Sequence, residues 1–411
     1  MKRLVFHKLK KKTSLILLLI VISIVCVGFT KLFRFNPKNN SSHFEDNSEK
    51  NKNLNLFFNQ IDSIQTNKTN VRIAFFGDSF VEGDILTGEL RKLLQGKFGG
   101  NGVGFVPLAS QTSGFRSTLK HTHKNILAYN VVFNHQLNLP FAAGGYYFIP
   151  KINNAIHYNL HKPVNKIRLF YQSATASSIS YSTPPIKDKK IVLPPTNSLS
   201  NFVFSEKNIK SLQLKLSCSN STSIYGLSFE DTVGITLDNF GLRSNSGVGI
   251  GKISDKKHRE FDSLQNYKLI VLQYGLNATS KNQKNFTAYH QKMKTLIERI
   301  KKNYPNATII LYSVSDRCVL QNGKLCTMNS IPLMVETQRK IAQQTGIVFW
   351  NLFQAMGGIN SIVKFAKSKP SLAAGDYTHL THKGGEYIAR LFYNELILEY
   401  ERYKSIKENK N

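Results

Sequence analysis

This 411-residue chain carries no zinc-finger spacing and no RNA-binding signature, and no third ligand stands near its one close histidine pair, His121-Thr122-His123. Those absences argue against a metal site or a nucleic-acid module and leave the pair as a solvated strand edge. Acidic residues are scarce: 25 Asp and Glu face 55 Lys and Arg, a formal net charge of +30. The lysines are spread along the chain rather than gathered on one motif, so the excess suits solubility or a polyanionic envelope and not nucleic acid. Cysteine is limited to 4 residues. Cys26 falls in an apolar run and Cys218 has no evident partner. Cys318 and Cys326 flank an Asn322-Gly323 hairpin signal, a loop that a disulfide would close in an oxidising compartment.

Long apolar runs are also few. Six Lys or Arg in the first twelve residues precede Thr13 to Thr30, 18 uncharged and mostly aliphatic residues. As a helix that run spans roughly 27 Å, close to the hydrocarbon thickness of a bilayer. Basic residues ahead of it place the N-terminus in the cytoplasm and everything after Lys31 outside, in the periplasm or at the cell surface. No small-x-small cleavage pattern follows it, so a retained anchor is expected over a cleaved signal peptide. The expected division is a basic tail and transmembrane anchor at 1–35 and a linker at 36–70, its Asn-, Ser- and Lys-rich first part a flexible tether.

Three segments far apart in the chain carry chemistry. Val71 to Phe76 reads as a buried strand that Gly77 ends in a sharp turn, displaying Asp78 and Ser79. A serine hydroxyl needs a base held by a carboxylate before it can act as a nucleophile. Asp376 and His379 supply that pair, three residues apart on one side of a turn. Leu269 to Gly275 is a second buried-strand pattern, and Asn277 behind it offers an amide to a developing oxyanion beside the Ser79 N–H. Each motif alone has a bland explanation: Gly-Asp-Ser as turn chemistry, Asp376 as a helix N-cap with His379 in the first turn. Their order, at strand ends and before a helix, is the placement an open α/β sheet gives its catalytic loops.

The set Gly77-Asp78-Ser79, Gly275-x-Asn277 and Asp376-x-x-His379 resembles the SGNH (GDSL-like) hydrolases. The resemblance implies a flavodoxin-like three-layer α/β core with a parallel sheet, and ester hydrolysis through an acyl-enzyme with no cofactor. It makes Ser79 the nucleophile, His379 the general base and then acid, Asp376 its orienter, and Ser79 and Asn277 oxyanion donors. The second family block falls on Asn239 to Gly247, where Ser244 takes the glycine position, with Gly241 or Gly247 the donor if the register shifts. Asp78 is expected to bond loop backbone.

About 160 residues separate the first and second blocks, too many for a loop. Short alternating runs between turn residues, such as Lys166 to Tyr171 and Ile209 to Leu216, predict an antiparallel β-sandwich inserted at 125–229, with the core at 71–124 and 230–411. A carbohydrate-binding-like sandwich inside such a core resembles the peptidoglycan O-acetylesterase branch. Tyr146, Tyr147, Tyr158, Tyr171 and Tyr181 are candidates for sugar stacking, against the commoner role of strand aromatics in packing. The expected activity is removal of O-acyl, foremost O-acetyl, groups from an envelope polysaccharide. The alternatives are an O-acetyltransferase on the same glycan and a catalytically silent glycan-binding protein. Expected partners are the acylated polysaccharide and the membrane, and no oligomeric state is expressed in the sequence.

Overall fold

The computed structural model describes residues 42–48, 53–218 and 221–409. The expected anchor at Thr13 to Thr30 lies outside them, and among the described residues no helix is long and apolar enough to cross a membrane.

The chain begins with β1 (Phe44–Asp46) and α1 (Asn53–Asn67), then enters β2 (Asn70–Gly77) and α2 (Thr87–Phe98). From Val71 onward every residue of β2 is buried, as a central parallel strand requires. After α2 come nine strands: β3 (Gly104–Val106), β4 (Leu119–Asn130), β5 (Tyr146–Val164), β6 (Lys166–Ser173), β7 (Ser177–Thr183), β8 (Ile186–Leu193), β9 (Ser200–Val203), β10 (Ile209–Ser217) and β11 (Thr222–Glu230). The chain then alternates through β12 (Gly234–Gly241), α3 (Asp255–Gln265), β13 (Tyr267–Gln273), α4 (Thr287–Asn303) and β14 (Thr308–Tyr312). A hairpin, β15 (Cys318–Gln321) and β16 (Lys324–Thr327), precedes α5 (Ser330–Thr345), β17 (Val348–Trp350), the short α6 (Leu352–Ala355) and α7 (Ser361–Lys367), and the long α8 (His382–Glu408).

The core sheet runs β1-β17-β14-β13-β2-β12. Its pairs are parallel from β12 across to β17, and β1 alone is antiparallel. After β2 the chain crosses outward to β12 and then returns to β13 on the other side of β2. This is the flavodoxin-like order, and it opens a crevice at the carboxyl ends of β2 and β13. Helices α1, α2 and α8 pack together on one face: Tyr400 Oη donates to Asp62 Oδ1 at 2.7 Å, and Arg390 pairs with Glu89. Helices α3, α4 and α5 pack with one another on the opposite side.

The second sheet is antiparallel in order β8-β7-β10-β5-β11-β6-β9, with β4 paired to β5 and β3 to β11. It takes in residues ahead of 125, since β4 starts at Leu119. Leu160, Ile167, Leu169, Leu214 and Phe229 belong to its own apolar cluster, while Phe105 and Phe170 reach across to Phe240 and Phe261 of the core.

Four expectations change. The 36–70 stretch is no linker throughout: β1 pairs with β17, and α1 buries Leu54, Phe57, Phe58, Ile61 and Ile64. The spacing of those five residues is helical and outweighs the Asn-rich composition around them. Cys318 and Cys326 are both free thiols. Cys318 faces Thr327 and Cys326 faces Val319, so the two cysteines point to opposite faces of the ribbon. Tyr158, Tyr171 and Tyr181 are buried, with hydroxyls bonded to Pro107 O, Pro194 O and Glu206, which leaves only Tyr146 and Tyr147 partly exposed. Finally, His121 is no solvated edge: it is buried, stacks on Tyr158, and its desolvation pulls its pKa down to about 3.

Candidate active site

Two glycines shape the crevice. A Cβ on Gly77 would lie 2.3 Å from Val81 Cγ2, so only glycine lets the chain fold back immediately behind β2. Gly275 sits at φ +121°, where a Cβ would also meet Val314 Cγ1 at 2.7 Å. It turns the chain out of β13 into the 3₁₀ turn Leu276–Ala278 that carries Asn277.

Asp78 organises the loop between these glycines. Its carbonyl accepts from Val81 and Glu82 N–H at 3.1 and 3.0 Å. Its Oδ1 accepts from Phe80 N–H at 3.0 Å, and its Oδ2 accepts from Asn277 Nδ2 at 3.3 Å. The backbone-binding role expected of Asp78 is thus visible, with a contact to Asn277 added. Burial pushes the Asp78 carboxyl up to about 7, against the Phe80 N–H and the neighbouring His379, which pull it down. Ser79 is half-buried at the head of this loop, and among the described residues its hydroxyl has no hydrogen-bond partner. Resting sites often leave the nucleophile and base apart until substrate arrives.

His379 Nδ1 and Asp376 Oδ2 are 2.6 Å apart, and Asp376 Oδ1 accepts from the N–H groups of Thr378 and His379 at 3.0 Å each. Burial raises the Asp376 carboxyl, but the His379 side chain and these two N–H groups outweigh it and hold the carboxyl below its ordinary value. Asp376 does not cap α8; Thr381 does, accepting from Gly384 N–H. The helix-cap explanation of this motif therefore fails, and the Asp376–His379 turn is a separate loop. It is pinned by Ala374 N–H to His379 O at 2.8 Å and by Cys318 N–H to Tyr377 O at 3.1 Å.

The second block folds against Asn277. Asn277 Nδ2 donates to Asn245 O at 3.2 Å. Gly241 N–H is spent on Asn239 Oδ1 at 2.8 Å and Gly247 N–H on Asn245 Oδ1 at 2.9 Å. Ser244 is exposed at φ +61°, and its N–H has no acceptor among the described residues. Sequence reasoning missed Asn245, which joins two blocks, and the pair Arg243 Nε to Glu82 Oε2 at 2.6 Å. Burial lifts Glu82 above its ordinary value in spite of that arginine. Neither signal is local, since Glu82 and Arg243 lie 161 positions apart. Among the described residues no group of three or more His, Cys, Asp or Glu is arranged to hold a metal.

No family model and no curated protein matches the chain. Solved structures do. A peptidoglycan O-acetylesterase structure superposes with a TM-score of 0.74, covering 88% of this chain and 100% of its own at 18% identity. The chain has an SGNH hydrolase-like fold. Family two carbohydrate esterases from Cellvibrio japonicus and Clostridium thermocellum match at TM-scores of 0.29 and 0.28, covering 69% and 67% of this chain and 99% of each of theirs, at 10% and 12% identity. The fold assignment rests on the first. Within an SGNH-like core, the carboxyl ends of β2 and β13 form the switch point, and Ser79 and Asn277 both stand there.

Proposed function

We propose that this protein is a serine esterase that removes O-acyl groups, foremost O-acetyl, from an envelope polysaccharide such as peptidoglycan. The observation that carries the reading is the 2.6 Å contact between His379 Nδ1 and Asp376 Oδ2, on a loop separate from any helix and close enough to Asp78 to act on its charge. In this reading Asp376 fixes the imidazole so that Nε2 takes the Ser79 proton. Ser79 Oγ attacks the ester carbonyl, and the alcohol leaves with the proton returned by His379. Water then attacks the acyl-enzyme with His379 again as base and releases the carboxylic acid. The oxyanion is held by the Ser79 N–H, Asn277 Nδ2 and the Ser244 N–H. Ser244 is preferred over Gly241 and Gly247 because theirs are already bonded within the loop.

The substrate class is supported by the fold it shares with a peptidoglycan O-acetylesterase. The 125–229 strands are read as an inserted domain. The placement is also part of the proposal: an N-terminal anchor at Thr13 to Thr30 would hold the catalytic part outside the cytoplasm, where a charge of +30 favours encounter with an anionic envelope.

The test is hydrolysis of short-chain against long-chain aryl esters by the full chain, with Ser79→Ala and His379→Ala alongside. Acetyl-selective turnover that both substitutions reduce by roughly 10,000-fold supports the reading. Turnover equal in all three proteins would overturn it.

A further inference from the structure

Ser244 stands in the left-handed region at φ +61°. Glycine enters that region freely, whereas a side chain makes it costly, so the conformation persists only where the surroundings impose it. Backbone contacts fix the chain on either side. Upstream, Leu242 N–H donates to Gly77 O at 2.9 Å, and a Cβ on Gly241 would lie 2.4 Å from Glu82 N, so the end of β12 lies directly against the loop that carries Ser79. Downstream, Asn245 N–H donates to Leu242 O at 3.3 Å, and Asn277 Nδ2 grips the Asn245 carbonyl. Arg243 and Ser244 bridge the two anchored ends.

Glu82 takes hold of that bridge. Its Oε2 accepts from Arg243 Nε at 2.6 Å. Burial raises the Glu82 carboxyl, and the Arg243 side chain and backbone N–H both act against it, so one carboxylate holds Arg243 at two points immediately ahead of Ser244. Glu82 is itself anchored, its N–H donating to Asp78 O at 3.0 Å one residue ahead of Ser79. The pair is also shielded from one side. Tyr146, at the start of β5, lies close enough for the charges of Glu82 and Arg243 to act on its hydroxyl, and with Glu82 and Gly241 it lines a cavity of about 40 Å³. An ion pair shielded in this way is stronger than one on an open surface.

We propose that Glu82 and Arg243 are positioning residues of the oxyanion site: their ion pair holds Ser244 in its left-handed conformation and so keeps the Ser244 N–H aimed at the ester carbonyl. The inference rests on the esterase reading for what the N–H meets, while the hold on Ser244 belongs to the folded chain alone. Both residues act through Ser244 and not on the reacting atoms.

The experiment uses the full chain with Arg243→Met, Arg243→Lys and Glu82→Ala. The Arg243 side chain is 49% exposed, so its variants keep the fold even where Glu82→Ala does not. Hydrogen exchange by mass spectrometry is read over 242–247, where the Leu242, Asn245 and Gly247 N–H groups are all bonded. Exchange there is expected to quicken roughly tenfold in Arg243→Met and Glu82→Ala, and to stay near the parent rate in Arg243→Lys, which keeps a cation for Glu82. In aryl acetate hydrolysis Arg243→Met is expected to lower kcat roughly tenfold, the scale of one charge-assisted hydrogen bond, with KM unchanged. In a Ser244→Gly background, where the left-handed conformation carries no side-chain penalty, the same substitution is expected to lower kcat by less than about threefold. A tenfold loss in both backgrounds, a rise in KM in place of the fall in kcat, or unaltered exchange at 242–247 would each overturn the inference. Turnover that survives Ser79→Ala would sink the esterase reading instead, and the exchange rates then decide the hold on Ser244 by themselves.

Discussion

Asn277 has two amide hydrogens, and both are engaged at rest, one by Asp78 Oδ2 and one by Asn245 O. To serve an oxyanion it must give up one partner for a stronger, charged acceptor. Asn277→Ala is accordingly expected to lower kcat roughly 100- to 1,000-fold with little change in KM, read from steady-state hydrolysis of an aryl acetate. Asp78 adds a pH signature. Its carboxyl is raised from 3.8 to about 7 in the folded protein. The folded state therefore holds a proton that the unfolded state releases, and this contribution to stability, complete below pH 3.8, is lost as pH climbs through about 7. Melting temperature should show a downward component across that interval, and Asp78→Asn should flatten it. An unchanged slope in the variant would assign the effect elsewhere. At this scale the sequence was legible where chemistry is local: Asp376 and His379 sit three apart and meet in one turn. It was opaque for Asn245, Glu82 and Arg243, whose roles come from pairing across long loops.

Elements position these side chains, and their failures should be distinct. Gly275→Ala would place a Cβ 2.7 Å from Val314 Cγ1 and 2.8 Å from Gln338 Nε2, at a φ of +121°. A loss of roughly 1–3 kcal/mol in urea unfolding is expected, together with a fall in kcat because the turn carrying Asn277 must shift. A second expectation concerns β1 and α1. Deleting the chain through Thr69 exposes the edge of β17 and removes five buried apolar side chains, each worth roughly 1.5–3 kcal/mol. That sum rivals the whole stability of a domain, so the truncated chain should be recovered only as aggregate, whereas one starting at His43 should fold. Strands and helices of the core were readable because continuous apolar runs and 3.6-residue spacing signal them directly. β1 was not, because three residues become a strand only by pairing with a partner some 300 positions away. The buried tyrosines show the same limit in the second sheet: alternation says which residues share a face, but only the packed sheet decides that Tyr158, Tyr171 and Tyr181 face inward.

At the scale of the molecule, the two sheets are joined by charge as well as by aromatic packing. Arg72 of β2 pairs with Asp238 of β12 at 3.0 Å and with Glu230 at the end of β11, and Arg168 of β6 reaches Glu230 at 2.9 Å. All four side chains are buried. The Arg72 guanidinium and its neighbour Arg168 hold Glu230 down at about 2 in spite of its burial. Removing one member leaves the others uncompensated, and Arg72→Leu is expected to cost about 3–5 kcal/mol in equilibrium urea unfolding. Because the cluster spans both sheets, the parent protein should melt in a single calorimetric transition over residues 43–411, and two resolved transitions would contradict the linkage. Two sheets fastened through a desolvated charge cluster resist opening and closing against each other, so under the esterase reading proposed above a long glycan would be approached from its flank and not taken in by a closing jaw. On that proposal, acetyl groups are expected to disappear at scattered positions along each strand from the first minutes of a digestion, instead of receding in order from one end.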